Sequence, residues 1–182
     1  MKKTACLLIL LISLRFNASA SWTSATIEGF DNQTGLYFFG LNADDDDNSG
    51  YYVNICVYDA KNDKTAYVFP AESNDRITGF YYQTGYSADL NRILLNTDDG
   101  LYSGSDKTLK IDYKKASLNL IVITYSEKQE SYSLWICGKN GSGLKKLASY
   151  GSNTELKIDV YYNKVLLIRQ EKNLLKIESF QY

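Results

Sequence analysis

The residues best placed to do chemistry are four consecutive carboxylates, Asp44, Asp45, Asp46 and Asp47, followed by Asn48, Ser49 and Gly50. Asp45, Asp47 and Ser49, spaced two apart ahead of Gly50, fit the first half of a calcium loop. In such a loop alternate oxygens converge on a hard cation and the glycine permits a sharp turn. The position where a bidentate glutamate would close the loop holds Cys56. Only half of a ligand set is present, so calcium at Asp45, Asp47 and Ser49 is the alternative. The plainer reading is a solvated acidic hairpin loop that needs no cofactor. Adjacent carboxylates repel one another and keep such a loop extended until a cation or a basic partner meets it.

Other chemistry finds less support. The chain has no histidine, which removes the commonest general base and the commonest metal ligand together. Its serines therefore lack the usual activating partner. Glu28, Glu72, Glu155 and Glu178 are the carboxylates that a glycosidase reading would draw on; each reads as a solvent-facing strand residue. Gly141-Ser142-Gly143 is a turn with no helix behind it to hold a phosphate. An enzyme is not expected. Cys56 and Cys137 remain once the N-terminal Cys6 is set aside. An even count in an oxidising compartment predicts a disulfide between them; two buried thiols are the alternative.

What must position these residues is a set of strands. Short β-branched and aromatic runs recur at 26–30, 36–41, 51–59, 65–69, 77–82, 92–96, 108–113, 118–125, 132–137, 144–148, 155–162, 164–170 and 174–180. Clusters of Asn, Asp, Gly and Lys separate them. About 13 strands at this spacing predict an all-β, antiparallel domain, built as propeller-like blades or as a two-sheet β domain. Residues 164–180 carry no 3.6-residue stripe and read as two strands rather than a helix. Asp98-Asp99-Gly100 and Asn140-Gly141 are hairpin-turn sequences. An internal repeat is visible. Ile55 to Asp59, a polar turn and residues 65–69 parallel Leu134 to Gly138, a polar turn and residues 144–148. An apolar run and a polar loop precede each copy.

The second copy carries a family resemblance. Ser133-Leu134-Trp135-Ile136-Cys137-Gly138-Lys139-Asn140-Gly141-Ser142-Gly143-Leu144-Lys145-Lys146-Leu147 resembles the blade motif of TolB-type periplasmic β-propellers. There an apolar strand meets a glycine turn and a second strand. Gly138 stands where that family usually has Asp. The resemblance implies local blade geometry and, for function, an envelope scaffold or interaction module.

The N-terminus reads as a cleavable secretory signal. Lys2 and Lys3 precede an apolar stretch from Cys6 to Leu14, and Ala18-Ser19-Ala20 is a small-x-small cleavage site. The apolar stretch is far short of the ~20 residues that span a bilayer. Residues 1–20 are therefore expected to be removed, leaving 21–182 as a single all-β domain. The signal resembles those of Gram-negative envelope proteins, which implies the periplasm. Its loss removes Lys2, Lys3 and Arg15 from the 20 basic side chains, so 17 face 21 acidic ones. That balance disfavours nucleic acid and anionic membrane surfaces as partners.

The 16 tyrosines combine an apolar ring with a polar tip, as binding surfaces do. Tyr51 and Tyr82 stand out within aromatic clusters. An exported, acidic, tyrosine-rich β domain without catalytic equipment is similar to immunity proteins that guard the periplasm against type VI effectors, and to periplasmic lysozyme inhibitors. The expected partner is another protein, a basic enzyme. Asp44, Asp45, Asp46 and Asp47, or Asp98, Asp99 and Gly100, are the candidate inserting loops, beside Tyr51 and Tyr82. A carbohydrate-active protein is the third reading.

Overall fold

Strand-forming residues in short runs, broken by turn residues, give a structure without helix among the described residues. The computed structural model describes residues 27–42, 51–71, 73–87, 92–96, 102–103 and 116–182. The strands are β1 (Ile27–Asp31), β2 (Leu36–Asn42), β3 (Tyr52–Asp59), β4 (Lys64–Tyr67), β5 (Arg76–Ser87), β6 (Arg92–Leu95), β7 (Tyr102–Ser103), β8 (Asn119–Ser126), β9 (Ser131–Gly138), β10 (Lys145–Tyr150), β11 (Thr154–Asp159), β12 (Lys164–Glu171) and β13 (Leu174–Gln181). The run at 108–113 lies outside the described residues. Residues 164–180 form β12 and β13, two antiparallel strands in unbroken register, as the missing helical stripe predicts.

Pairing divides the strands into three layers. The first is the antiparallel meander β1-β2-β3-β4. The second is a meander of the same form, β5-β8-β9-β10. A single residue pair, Tyr52 with Ile77, joins the first layer to the second. The third is β11-β12-β13. Short β6 extends β5, and β7 runs parallel beside β11. The repeat in the sequence occupies the second, third and fourth strands of the first two meanders: β2, β3, β4 and β8, β9, β10.

The middle layer supplies both cores. Alternate side chains on a strand face opposite ways, yet β8 is buried along both phases. Leu120 and Val122 pack with Leu36, Phe38, Ile55 and Val57 of the first layer. Ile121 and Ile123 pack with Ile158, Val160 and Val165 of the third. Aromatic edges lock the first interface: Phe38 meets Phe80 at 5.3 Å and Phe69 meets Trp135 at 5.5 Å between ring centroids.

One turn design recurs. Four hairpins use a four-residue turn whose last residue is left-handed: Gly35, Asp63, Glu130 and Asn163 have φ of 74°, 49°, 48° and 51°. In three of them an aspartate stands just before the turn and caps it. Asp31 accepts from Gln33 N, Asp59 from Lys61 N and Asn62 N, and Asp159 from Tyr161 N and Tyr162 N. The carboxylate fills backbone donors that the turn leaves unpaired.

Candidate protein-binding surface

The phase that buries Leu36, Phe38, Ile55 and Val57 turns their neighbours outward. Tyr37 and Phe39 on β2, and Cys56 and Tyr58 on β3, therefore share the outer face of the first layer with Phe30 and Tyr67. Cross-strand register sets these residues in rows: Phe30 opposite Tyr37 opposite Tyr58, and Phe39 opposite Cys56 opposite Tyr67. Ring centroids lie 4.7 Å apart for Phe30 and Tyr37, and 6.4 Å for Tyr37 and Tyr58. Phe30 and Tyr67 are about half exposed, at 47 % and 58 %. A contiguous aromatic sheet face with polar hydroxyl tips has the composition of a protein-contact surface. Tyr58 Oη donates to Asp63 Oδ1 at 3.1 Å, which holds its hydroxyl proton above the ordinary phenol range.

A groove of about 340 Å³ adjoins that face, lined by Leu41, Asn42, Val53, Asn54, Tyr67 and Phe69 among others. Asn54 builds its wall. The side-chain amide accepts from Phe69 N and donates to Phe69 O, both at 2.9 Å, so it holds the chain beyond β4 as a neighbouring strand would. Leu41 and Asn42 are the last described residues before the acidic run. The groove thus lies at the root of the loop that holds Asp44, Asp45, Asp46 and Asp47. Those four residues and Ser49 lie outside the described residues, as do Asp98, Asp99 and Gly100. Where the chain returns, Arg76 places its guanidinium 5.4 Å from the Tyr51 ring centroid and 5.7 Å from that of Tyr125. This cation–π clamp ties Tyr51, just ahead of β3, to β5 and β8.

Two of the expected site features sit elsewhere. Tyr82, expected on the partner surface, is buried. Its ring packs 4.7 Å from Phe38, and its hydroxyl reaches the backbone of Gly29 so closely that a methyl group there would collide with it. Both faces of the middle layer are covered, so neither phase of its adjacent tyrosines faces solvent. Burial pushes the Tyr82 hydroxyl up to about 12. The expected disulfide is likewise replaced by free thiols. Cys137 points into the core between the first two layers, whereas Cys56 points away from that core on the outer face. The strand phase separates them.

A buried polar strap was not foreshadowed by any motif. Lys139, in the turn after β9, donates to Asp31 Oδ2 and to the Gln83 carbonyl, both at 2.7 Å; the lysine and aspartate are 2 % and 0 % exposed. Gln83 Nε2 donates to Asn163 Oδ1 and Tyr182 Oη at 3.0 Å, and its Oε1 accepts from Ser117 N. The chain of bonds runs from the first layer through the second to the third, with both amide donors of Gln83 used. Charges this deep persist only when paired and hydrogen-bonded. With its ammonium committed to Asp31 and Gln83, Lys139 ties the layers together.

A second concavity, about 320 Å³, lies between the second and third layers beside Tyr132, Tyr150 and Thr154. Tyr132 and Tyr150 stack on each other at 5.4 Å, so their facing surfaces are taken. Among the described residues, no three His, Cys, Asp or Glu side chains converge as a metal site would require, and no helix is long and apolar enough to cross a membrane. Comparison with protein-family models, with curated proteins and with solved structures finds no match.

Proposed function

We propose that this chain is a periplasmic protein-binding module that blocks a basic enzyme, in the manner of an immunity protein or inhibitor directed at a cell-wall-degrading or otherwise toxic enzyme. The observation that carries the reading is the outward aromatic face of β1–β4, with a groove beside it at the root of the acidic loop. Aromatic side chains supply contact energy at small entropic cost. The carboxylates supply long-range attraction for a basic partner and accelerate encounter. The export signal read at residues 1–20 supports the compartment.

The test is inhibition. The chain is titrated against a panel of basic cell-wall hydrolases, namely lysozymes, lytic transglycosylases and peptidoglycan amidases. The expected result is saturable inhibition of at least one, weakened by added salt. A variant with Asn at positions 44–47 and a Phe30→Ala/Tyr67→Ala variant should each weaken it. Absence of binding across the panel, or turnover of peptidoglycan by the chain itself, refutes the proposal.

The repeated four-stranded meander favours a second reading, a TolB-like envelope scaffold whose acidic loop is stiffened by calcium at Asp45, Asp47 and Ser49. A rise in melting temperature with calcium, absent with magnesium, would select it.

A further inference from the structure

β13 is the outer edge of the third layer, and among the described residues nothing pairs with its far side. It is eight residues long, in continuous register with β12, and holds no proline, glycine or bulge. Leu174, Leu175 and Ile177 on it are exposed. Sheet edges of this kind are usually shortened, bent or charged, because a row of free amides and carbonyls recruits another strand.

Which groups are free follows from one bond. Tyr182 N donates to Asn163 O at 2.9 Å, at the open end of the β12–β13 ladder. Backbone polar groups alternate sides along an antiparallel strand. Residues 174, 176, 178 and 180 therefore bond inward to β12, and Leu175, Ile177, Ser179 and Gln181 present N–H and C=O outward. A second β13 running antiparallel must match outward residues with outward residues. Centring the pair on Lys176 would set Lys176 against Lys176, and centring it on Glu178 would set Glu178 against Glu178. Centring it on Ile177 sets Lys176 of each copy against Glu178 of the other, and Ile177 against Ile177. On β12, Ile168 stands beside Ile177, so this register also aligns four isoleucines in one row across the joint.

We infer that β13 is a self-complementary docking edge, through which two copies of this chain join their third-layer sheets about a two-fold axis at Ile177. The contact is isologous: each copy contributes the same strand, so the assembly closes at two. Cross-strand pairs of opposite charge stabilise a ladder, and like pairs destabilise it. Within each chain Glu178 already lies 3.4 Å from Lys176 and 3.3 Å from Arg169; the register centred on Ile177 joins two such groups with their signs alternating, whereas centring on Lys176 or Glu178 sets like charges together.

The test is sedimentation velocity across a concentration series on the chain, with Lys176→Glu, Glu178→Lys and the double exchange Lys176→Glu/Glu178→Lys. The expected result is a dimer whose dissociation constant rises by on the order of tenfold or more in each single variant and returns toward the parent value in the double. Within one chain Lys176→Glu loses the ion pair to Glu178 but faces Arg169, and Glu178→Lys loses its pairs to Lys176 and Arg169; circular dichroism and the melting temperature of each variant separate a loss of fold from a loss of association. Hydrogen exchange supplies a second readout. The amides of Leu175, Ile177 and Ser179 should become protected as concentration rises. A monomer at every concentration, a dimer indifferent to the single exchanges, or concentration-independent exchange at those amides overturns the inference.

Discussion

Replacing Lys139 with Met removes a charge while keeping most of the side-chain volume, and so isolates the polar strap. In the native protein the ammonium bonds to a carboxylate and a carbonyl at 2.7 Å each. Without it, the partners Asp31 keeps among the described residues come from its own turn, Gln33 N at 3.3 Å and Thr34 Oγ1, and the Gln83 carbonyl loses this donor. Removing one partner from a buried ion pair typically costs about 3–5 kcal/mol, because the remaining charge stays desolvated and uncompensated. That is a large share of the ~5–15 kcal/mol by which a domain is stable. With a urea slope of ~2 kcal/mol/M, the unfolding midpoint should fall by roughly 2 M. Asp31→Asn/Lys139→Met should recover about half of the loss, since a neutral amide in place of the carboxylate still caps the turn. Additive single and double effects, or a Lys139→Met loss under ~1 kcal/mol, would show that the pair is not coupled and that the strap does not hold the layers.

Other outcomes follow from single features. Burial pushes the Cys137 thiol up to about 12 and the Cys56 thiol upward; mass spectrometry after native alkylation should find Cys56 modified well before Cys137, whereas a bridged pair resistant to both alkylations would contradict the strand phase. Glu130→Gly replaces a side chain held at φ 48° by one that accepts that conformation freely, and should stabilise by roughly 0.5–1 kcal/mol, read as a higher melting temperature. Tyr82 and Tyr182 have hydroxyls raised from 10 to about 12, chiefly by burial. Between those values the folded chain holds protons that the unfolded chain has lost, so stability should be level below pH 10 and decline from pH 10 to about 12. Tyr182→Phe should flatten that decline in urea titrations, at the cost of the bond to Gln83.

Much of the strand layout was legible because strand and turn chemistry are local. The alternation around Leu36 and Phe38, the polar turns and the failed helical stripe at 164–180 all survive in the structure. The nearly continuous apolar run at 118–125 carried the signal of a strand covered on both sides. What a local pattern does not carry is which layers lie over each strand. Tyr82 lies on a layer with two buried faces, and Cys56 and Cys137 lie on opposite phases relative to the core they flank. The aromatic face was present in the both-phase apolar pattern of Leu36, Tyr37, Phe38 and Phe39, yet adjacent aromatics do not tell which ring meets water. The recurring Asp ahead of a four-residue turn was also written in the chain, at 31, 59 and 159. Asp31 and Lys139 are 108 positions apart, and no local rule joins two such residues.

The middle layer also sets the order of events in folding. The first and third layers are runs of neighbouring hairpins, whose contacts close over short loops and form early. β5 must wait for β8, which returns only after the excursion between Ser87 and Asn119, and that long closure is slower and entropically dearer. β8-β9-β10 also close over short turns, but until β5 pairs with β8 the middle layer is incomplete and the first layer lacks the part of its core that Phe80 and Tyr82 supply. The chain should therefore refold with one slow phase common to probes in all three layers, its rate set by how quickly a single strand finds its seat.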